Sequence, residues 1–407
     1  MDTIKQISGG VCAAKGFLAG GVHCGIRKNH SKRDLSLIYS ETPASAAALY
    51  TTNRVKGAPL TVTKRHLADG KAQAVICNSG NANTCNADGE EIAEETCASL
   101  AEALHIAPAD VVVASTGVIG QPLDIRPIRA GIPPLVVALS PEGSRMAAEG
   151  IMTTDTIVKE VAVEFTLGGK TCHLGGIAKG SGMIHPNMAT MLVFLTTDVA
   201  ISPEMLSHAL KTDVASSFNM VSVDGDTSTN DMVVLLANGL AGNREITCDG
   251  EDFSCFMRAL NTVTVCLCRL LAGDGEGATK LLECKVCGAK DDETARITAK
   301  SVICSSLLKA AMFGADANWG RVLCAIGYSG ADVDIGAVDV TFASANGVID
   351  VCKDGAGVPF SEEKAKEILL EKEIEIRVRV GEGAGEATAW GCDLTYDYVK
   401  INGDYRT

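Results

Sequence analysis

The chain has 407 residues, 46% of them hydrophobic, and a formal net charge of −14. That length and apolar content exclude a disordered chain and allow one large domain or two. The acidic balance argues against nucleic acid and anionic membrane as partners.

No uninterrupted apolar run approaches the roughly 18 residues of a membrane helix. Lys15 and several glycines break the apolar stretch from Val11 to Val22, so a signal peptide is not expected. The expectation is a cytoplasmic protein. Its 16 cysteines are spread from Cys12 to Cys392, often inside apolar runs, and read as small core residues in a reducing compartment. Cys284 and Cys287 have a CxxC spacing without a second half-site, a weak signal for zinc or redox chemistry.

The first third is β-rich. Asp34–Tyr39 alternates, and Ala72–Cys77 is a short apolar run that empties into Asn78-Ser-Gly-Asn-Ala-Asn83. That polar segment is either an ordered turn or the rim of a site. Glu90–Leu104 has helical periodicity, with Ile92, Leu100 and Leu104 on one face. Val111–Ala114 is an apolar strand ending in Ser115-Thr116-Gly117. This end is either an ordinary turn or a place where backbone N–H and hydroxyl meet an anion. Ser140-Pro141-Glu142 predicts a helix start, and the helix should end near Gly150. Val161, Val163, Phe165 and Leu167 alternate as a strand, and Gly168-Gly169 predicts a hairpin.

The centre of the chain is Lys179-Gly-Ser-Gly-Met-Ile-His-Pro-Asn-Met-Ala-Thr190-Met-Leu192. An apolar strand begins there, so Thr190 puts a hydroxyl at the head of a core strand. Beyond it, Ser202-Pro203-Glu204 caps another helix. Ser222–Asp231 reads as a polar, site-lining turn, since it lacks the closing Glu of a calcium loop. Gly273–Lys280 lacks phosphate-loop spacing, but sets Glu276 among glycines that permit close approach to a small ligand. The last third has its own α/β pattern: a helix over Ser361–Glu371, a strand over Ile374–Val380 and a hairpin at Asn346-Gly347. The end, Tyr398 to Thr407, is aromatic-bearing and stops directly after a strand-like segment.

A threonine hydroxyl is a weak nucleophile without a base. No G-x-S-x-G elbow is present. Cutting the Ala189–Thr190 bond would supply the base, because an N-terminal α-amine has a pKa of about 7.7–8.0. The hydroxyl would first attack the Ala189 carbonyl to make an ester, which water opens. The alternative is an ordinary threonine at a strand start.

The central motif resembles the processing motif of bacterial ornithine acetyltransferases, the glutamate N-acetyltransferases of arginine biosynthesis. The likeness extends through Gly16-Phe17, Thr51–Arg54, Asn78–Asn83, Ser115–Gly120, Asp224–Asp231, Asp274–Gly277, Asn318–Arg321 and Ile401–Thr407. It implies an αββα-type α/β fold related to self-processing aminopeptidases, with a further α/β lobe in the C-terminal third. It implies an α chain, 1–189, and a β chain, 190–407, assembled as α2β2. The implied reaction moves acetyl from N2-acetylornithine to glutamate, and some members also take acetyl-CoA as co-substrate. No cofactor and no metal is implied. By the same resemblance Thr190 is the nucleophile, Thr116 and Gly117 form the oxyanion hole, and Thr153, Lys179, Thr190, Glu276, Asn402 and Thr407 bind substrate. Lys179 suits an α-carboxylate, and Glu276 or the Thr407 carboxylate suits an amine. The nearest alternative is an N-terminal-nucleophile amidohydrolase or aminopeptidase that admits water.

Overall fold

The structure is a computed structural model that describes residues 4–185 and 191–404. It has the mixed α/β fold expected from the sequence. In chain order the strands are β1 (Lys5–Ile7), β2 (Phe17–Val22), β3 (Leu35–Tyr50), β4 (Lys71–Asn81), β5 (Val111–Val118), β6 (Lys159–Leu167), β7 (Lys170–Lys179) and β8 (Leu192–Thr197). They continue as β9 (Val221–Ser222), β10 (Met232–Ala237), β11 (Leu281–Ala289), β12 (Asp339–Ser344), β13 (Gly347–Lys353), β14 (Ala356–Gly357), β15 (Glu373–Arg379) and β16 (Gly385–Cys392). The large sheet runs β1-β6-β7-β8-β10-β3-β4-β5, with β2 also on β3; the second runs β14-β13-β12-β15-β11-β16-β9.

The α-helices are α1 (Ala58–His66), α2 (Gly89–Leu104), α3 (Ile125–Val137), α4 (Ser144–Ile151), α5 (Pro203–Ser216), α6 (Glu251–Gly273), α7 (Asp292–Cys304), α8 (Ser306–Phe313), α9 (Trp319–Gly327), α10 (Glu362–Leu369) and α11 (Tyr396–Gly403). Alternate residues of the central strands bury on opposite faces, as a period of two requires. Val193, Leu195, Val233 and Leu235 pack with α5 and α6 in a core that continues into the second sheet and α7. Leu192, Phe194, Val234 and Leu236 face Ala147, Ala148 and Ile151 of α4. Both faces of the sheet are therefore covered, which explains why these strands read as continuous apolar runs.

β8 joins the two halves of the chain within one sheet. It pairs antiparallel with β7 (Lys179 opposite Leu192) and parallel with β10 (Leu192 opposite Met232).

Several local expectations hold. Ser202 caps α5, its hydroxyl accepting the Met205 amide at 3.3 Å. Gly168-Gly169 turns β6 into β7, with Leu167 opposite Lys170. Others are corrected. α4 starts at Ser144, not at Ser140: Ser140 is held by a two-way backbone bridge to Ala19, both bonds 3.0 Å, so pairing with β2 takes the residues that local capping would give to the helix. Asn78 to Asn81 stay within β4. The turn between β12 and β13 is centred on Ala345-Asn346, because Ser344 already pairs with Gly347. The segment from Tyr398 is helical, not strand-like. The Asp393 carboxylate, accepting the Thr279 and Lys280 amides, turns the chain out of the sheet before it.

α6 also corrects the reading of apolar runs. Its 23 residues are long and apolar enough by composition to cross a membrane. Phe256, Leu260, Val263, Leu267 and Leu271 of that helix are fully buried in the protein's own core, so it is a core helix here. Of the cysteines, Cys77, Cys97, Cys172, Cys255, Cys268, Cys284, Cys352 and Cys392 are buried, while Cys85, Cys248, Cys287 and Cys324 are exposed, so small-core packing accounts for only some of them.

Candidate active site

The expected site residues come from five distant segments. Thr116 and Gly117 lie near the end of β5, Thr153 just after α4, Lys179 at the last position of β7, and Glu276 in the turn after α6. Asn402 is on α11. All six line one cavity of about 300 Å3. Ala189, Thr190 and Thr407 lie outside the described residues.

β5 does not end at Ala114. It carries Ser115–Val118 alongside β4 in parallel, with Ser79 opposite Thr116 and Gly80 opposite Gly117. Gly117 has φ +134°, and a Cβ there would stand 2.3 Å from the Gly80 carbonyl carbon. Only glycine fits. The Ser115 hydroxyl donates to Asn78 Oδ1 at 2.6 Å. Asn230 Nδ2 donates to the carbonyls of Ser115 (2.9 Å) and Ala82 (2.5 Å), and Thr84 Oγ1 donates to Asn230 Oδ1 at 2.6 Å. The wall around Thr116 and Gly117 is thus fixed before any ligand arrives, the condition for effective stabilisation of a developing charge.

Across the cavity, Glu276 Oε2 accepts from Asn402 Nδ2 at 2.7 Å. Gly182 lies so close that a Cβ on it would meet the Glu276 carboxylate at 2.3 Å. Lys179 and Glu276 are each 8% exposed, so their charges act in a partly dry space. Behind them Asp231 is buried, and its Oδ2 has no hydrogen-bond partner among the described residues. Burial pushes that carboxyl well above the usual carboxylate range, against the opposite pull of Ser228 and Lys179.

Both polar turns singled out in the sequence contribute. Ala82 comes from the Asn78–Asn83 segment, and Ser228, Thr229 and Asn230 come from the Ser222–Asp231 segment. Sequence reasoning did not find Thr154, Ile119 or Met183, which also line the cavity. Ile119 and Met183 sit inside quoted motifs, but neither side chain carries a chemistry that marks it as lining a site. Cys284 is buried and Cys287 exposed, and no cluster of three metal-ligating side chains occurs among the described residues.

A second cavity of about 680 Å3 shares Gly117, Thr153 and Thr154 with the first. Arg27, Lys28 and Lys32 line it, with Asp124 as the acidic side chain. In a chain of net charge −14 this is a local excess of cations.

His185 follows β7 within the central motif. Its Nδ1 is 3.1 Å from Ser222 Oγ and 3.4 Å from Cys304 Sγ. Burial and the Lys300 ammonium push it down to about 4, with Asp224 pulling the other way. A depressed histidine is protonated first in the unfolded chain, so stability falls as pH drops from about 6.5 toward about 4. His185→Gln is expected to flatten that part of the melting-temperature profile, measured on both proteins between pH 7 and roughly pH 4.

The ArgJ family pattern matches residues 18–407. The chain belongs to the ArgJ family. It is 50% identical over 405 residues to the "Arginine biosynthesis bifunctional protein ArgJ" of Caldanaerobacter subterraneus subsp. tengcongensis, covering 99% of this chain and 100% of that one. It is 48% identical over 408 residues to the ArgJ protein of Bacillus subtilis, covering 100% and 98%. A crystal structure of the ArgJ protein from Bacillus halodurans is similar, with 46% identity and a TM-score of 0.50, over 52% of this chain and 98% of that one. Membership of the ArgJ family makes this chain an enzyme. The resemblance read from the central motif is confirmed at the level of family.

Proposed function

We propose that this enzyme is a glutamate N-acetyltransferase that takes acetyl from N2-acetylornithine through an acetyl-threonine intermediate on Thr190. The observation that carries the reading is the convergence of Thr116, Gly117, Thr153, Lys179, Glu276 and Asn402 on one cavity. The cavity offers a cation for an α-carboxylate, a carboxylate for an amine and a rigid backbone wall for an oxyanion. Its volume of about 300 Å3 suits an amino acid with an acetyl group.

In the proposed cycle, cleavage after Ala189 frees the Thr190 amine, which takes the proton of its own hydroxyl. The hydroxyl oxygen attacks the acetyl carbonyl, and the oxyanion lies against Thr116 and Gly117. The carbon–nitrogen bond breaks, and ornithine leaves with the proton. Glutamate then enters, its amine attacks the ester, and the threonine hydroxyl is restored. A solved relative whose nearly whole chain matches 52% of this one supports a cut near the middle. Assembly as α2β2 and a cytoplasmic setting belong to the same proposal. Initial-rate plots at several fixed acetylornithine concentrations test it: parallel lines are expected, and intersecting lines would remove the covalent intermediate.

Acetyl-CoA is proposed as a second donor, with the adjoining cavity as support. Lys28→Ala with Lys32→Ala is expected to raise the KM for acetyl-CoA roughly three- to tenfold, as two exposed charge contacts would. The KM for acetylornithine should not move. The hydrolase reading separates from the transferase by product: it predicts acetate from acetylornithine at the same rate with or without glutamate.

A further inference from the structure

Three segments that carry substrate-facing residues meet at one buried ionic cluster. Asp155 Oδ2 accepts the amide of Thr153 at 2.9 Å. Its Oδ1 accepts the amide of Gly180, next to Lys179, at 2.7 Å, and the ammonium of Lys159 at 2.7 Å. Lys159 Nζ also donates to Asp274 Oδ2 at 2.5 Å. The Asp274 carbonyl accepts the Ser181 hydroxyl at 2.6 Å, and the Ser181 carbonyl accepts the Glu276 amide at 2.9 Å. The side chains of Asp155 and Lys159 are fully buried and that of Asp274 is 4% exposed. Asp155, Lys159 and Asp274 are not among the residues that line the cavity.

We infer that the Asp155–Lys159–Asp274 cluster is a positioning device that sets the spacing between the Thr153 loop, Lys179 and Glu276. The inference rests on the function proposed above. Stability alone does not account for the cluster. A buried ion pair loses in desolvation much of what it gains in attraction, and an apolar replacement of the same volume often folds as well. This cluster also holds two carboxylates for one internal ammonium. The second cation in range of Asp155 is Lys179 itself, and Lys159 and Lys179 together keep the Asp155 carboxyl ionised against the cost of burial. What a rigid, fully bonded network supplies is fixed geometry. Here it fixes the separation between a cation and a carboxylate that would grip the two ends of one amino acid. Both substrates present an α-carboxylate to Lys179, so both depend on its placement, while the amine end that Glu276 would hold belongs to acetylornithine.

The test uses Asp155→Asn, together with Thr156→Val as a milder change. Thr156 is exposed and donates to Asp274 through both its amide and its hydroxyl, so removing the hydroxyl while the amide bond stays loosens the cluster without unfolding the core. Active sites are titrated by the ornithine burst, and KM and kcat per active site are then measured. In Asp155→Asn the KM for acetylornithine and for glutamate should rise together by about tenfold or more, with kcat per titrated site changed much less. In Thr156→Val the same pair should rise by about two- to threefold. A purely structural cluster would lower the melting temperature and the titrated fraction while the surviving sites kept their KM. That result in either variant overturns the inference. Wild-type enzyme is assayed in parallel, so a wrong functional reading shows as no transfer in any protein, and a wrong inference as wild-type KM values in the variants.

Discussion

Thr190→Ala should remove both the cleavage and the chemistry. On a denaturing gel the wild-type enzyme should run as two fragments, 1–189 and 190–407, and the variant as one full-length band. Acetylglutamate formation should fall by about 10^4-fold or more from either donor, the scale of loss when a covalent nucleophile is removed. The reason is that one oxygen atom has two tasks. It is the enzyme's own nucleophile in the proposed cycle, and the amine that activates it exists only after the cut. A variant that is still cut, or that still transfers acetyl, would overturn the scheme as a whole.

Thr116→Ala should lower kcat by about 10^2- to 10^3-fold and leave the KM for acetylornithine within about threefold, the cost of losing one donor that acts mainly in the transition state. The measurement is kcat and KM on enzyme that has been fully cut, so that slow processing is not mistaken for slow chemistry. Thr116 is the position to change because its neighbour cannot be tested cleanly. Any side chain at Gly117 would run into Gly80 of β4 and push the two parallel strands apart. A KM effect of tenfold with kcat unchanged would move Thr116 from the oxyanion to ground-state binding.

Much of the fold was readable because its signals are local. The Ser202 cap, the Gly168-Gly169 turn and the apolar runs of β6 and β8 each announce themselves within a few residues. Where reading failed, a distant partner won. Ser140 carries a proper cap signal, yet it pairs with Ala19, more than a hundred residues earlier in the chain. Nothing local marks Asp155 and Lys159, because it is the distant Asp274 that completes their buried cluster. Lys179 reads by itself as a solvated charge, while the glycines around Glu276 hint at a small ligand. The family resemblance made both substrate-binding candidates, and only the folded chain puts them in one cavity with Asn402. Asn230 was seen as part of a polar turn, but its role in bracing the Ser115 carbonyl depends on a contact across 115 residues.

β8 lies between β7, from one side of the proposed cut, and β10, from the other. Neither fragment could therefore complete the large sheet alone. Before cleavage the chain folds as a unimolecular process. After it, the same native structure becomes a complex of two polypeptides, so its refolding depends on their concentration and its apparent stability rises with dilution avoided. Processing would thus commit the molecule: a fold reached easily as one chain is one that, once melted as two, has to find its other half.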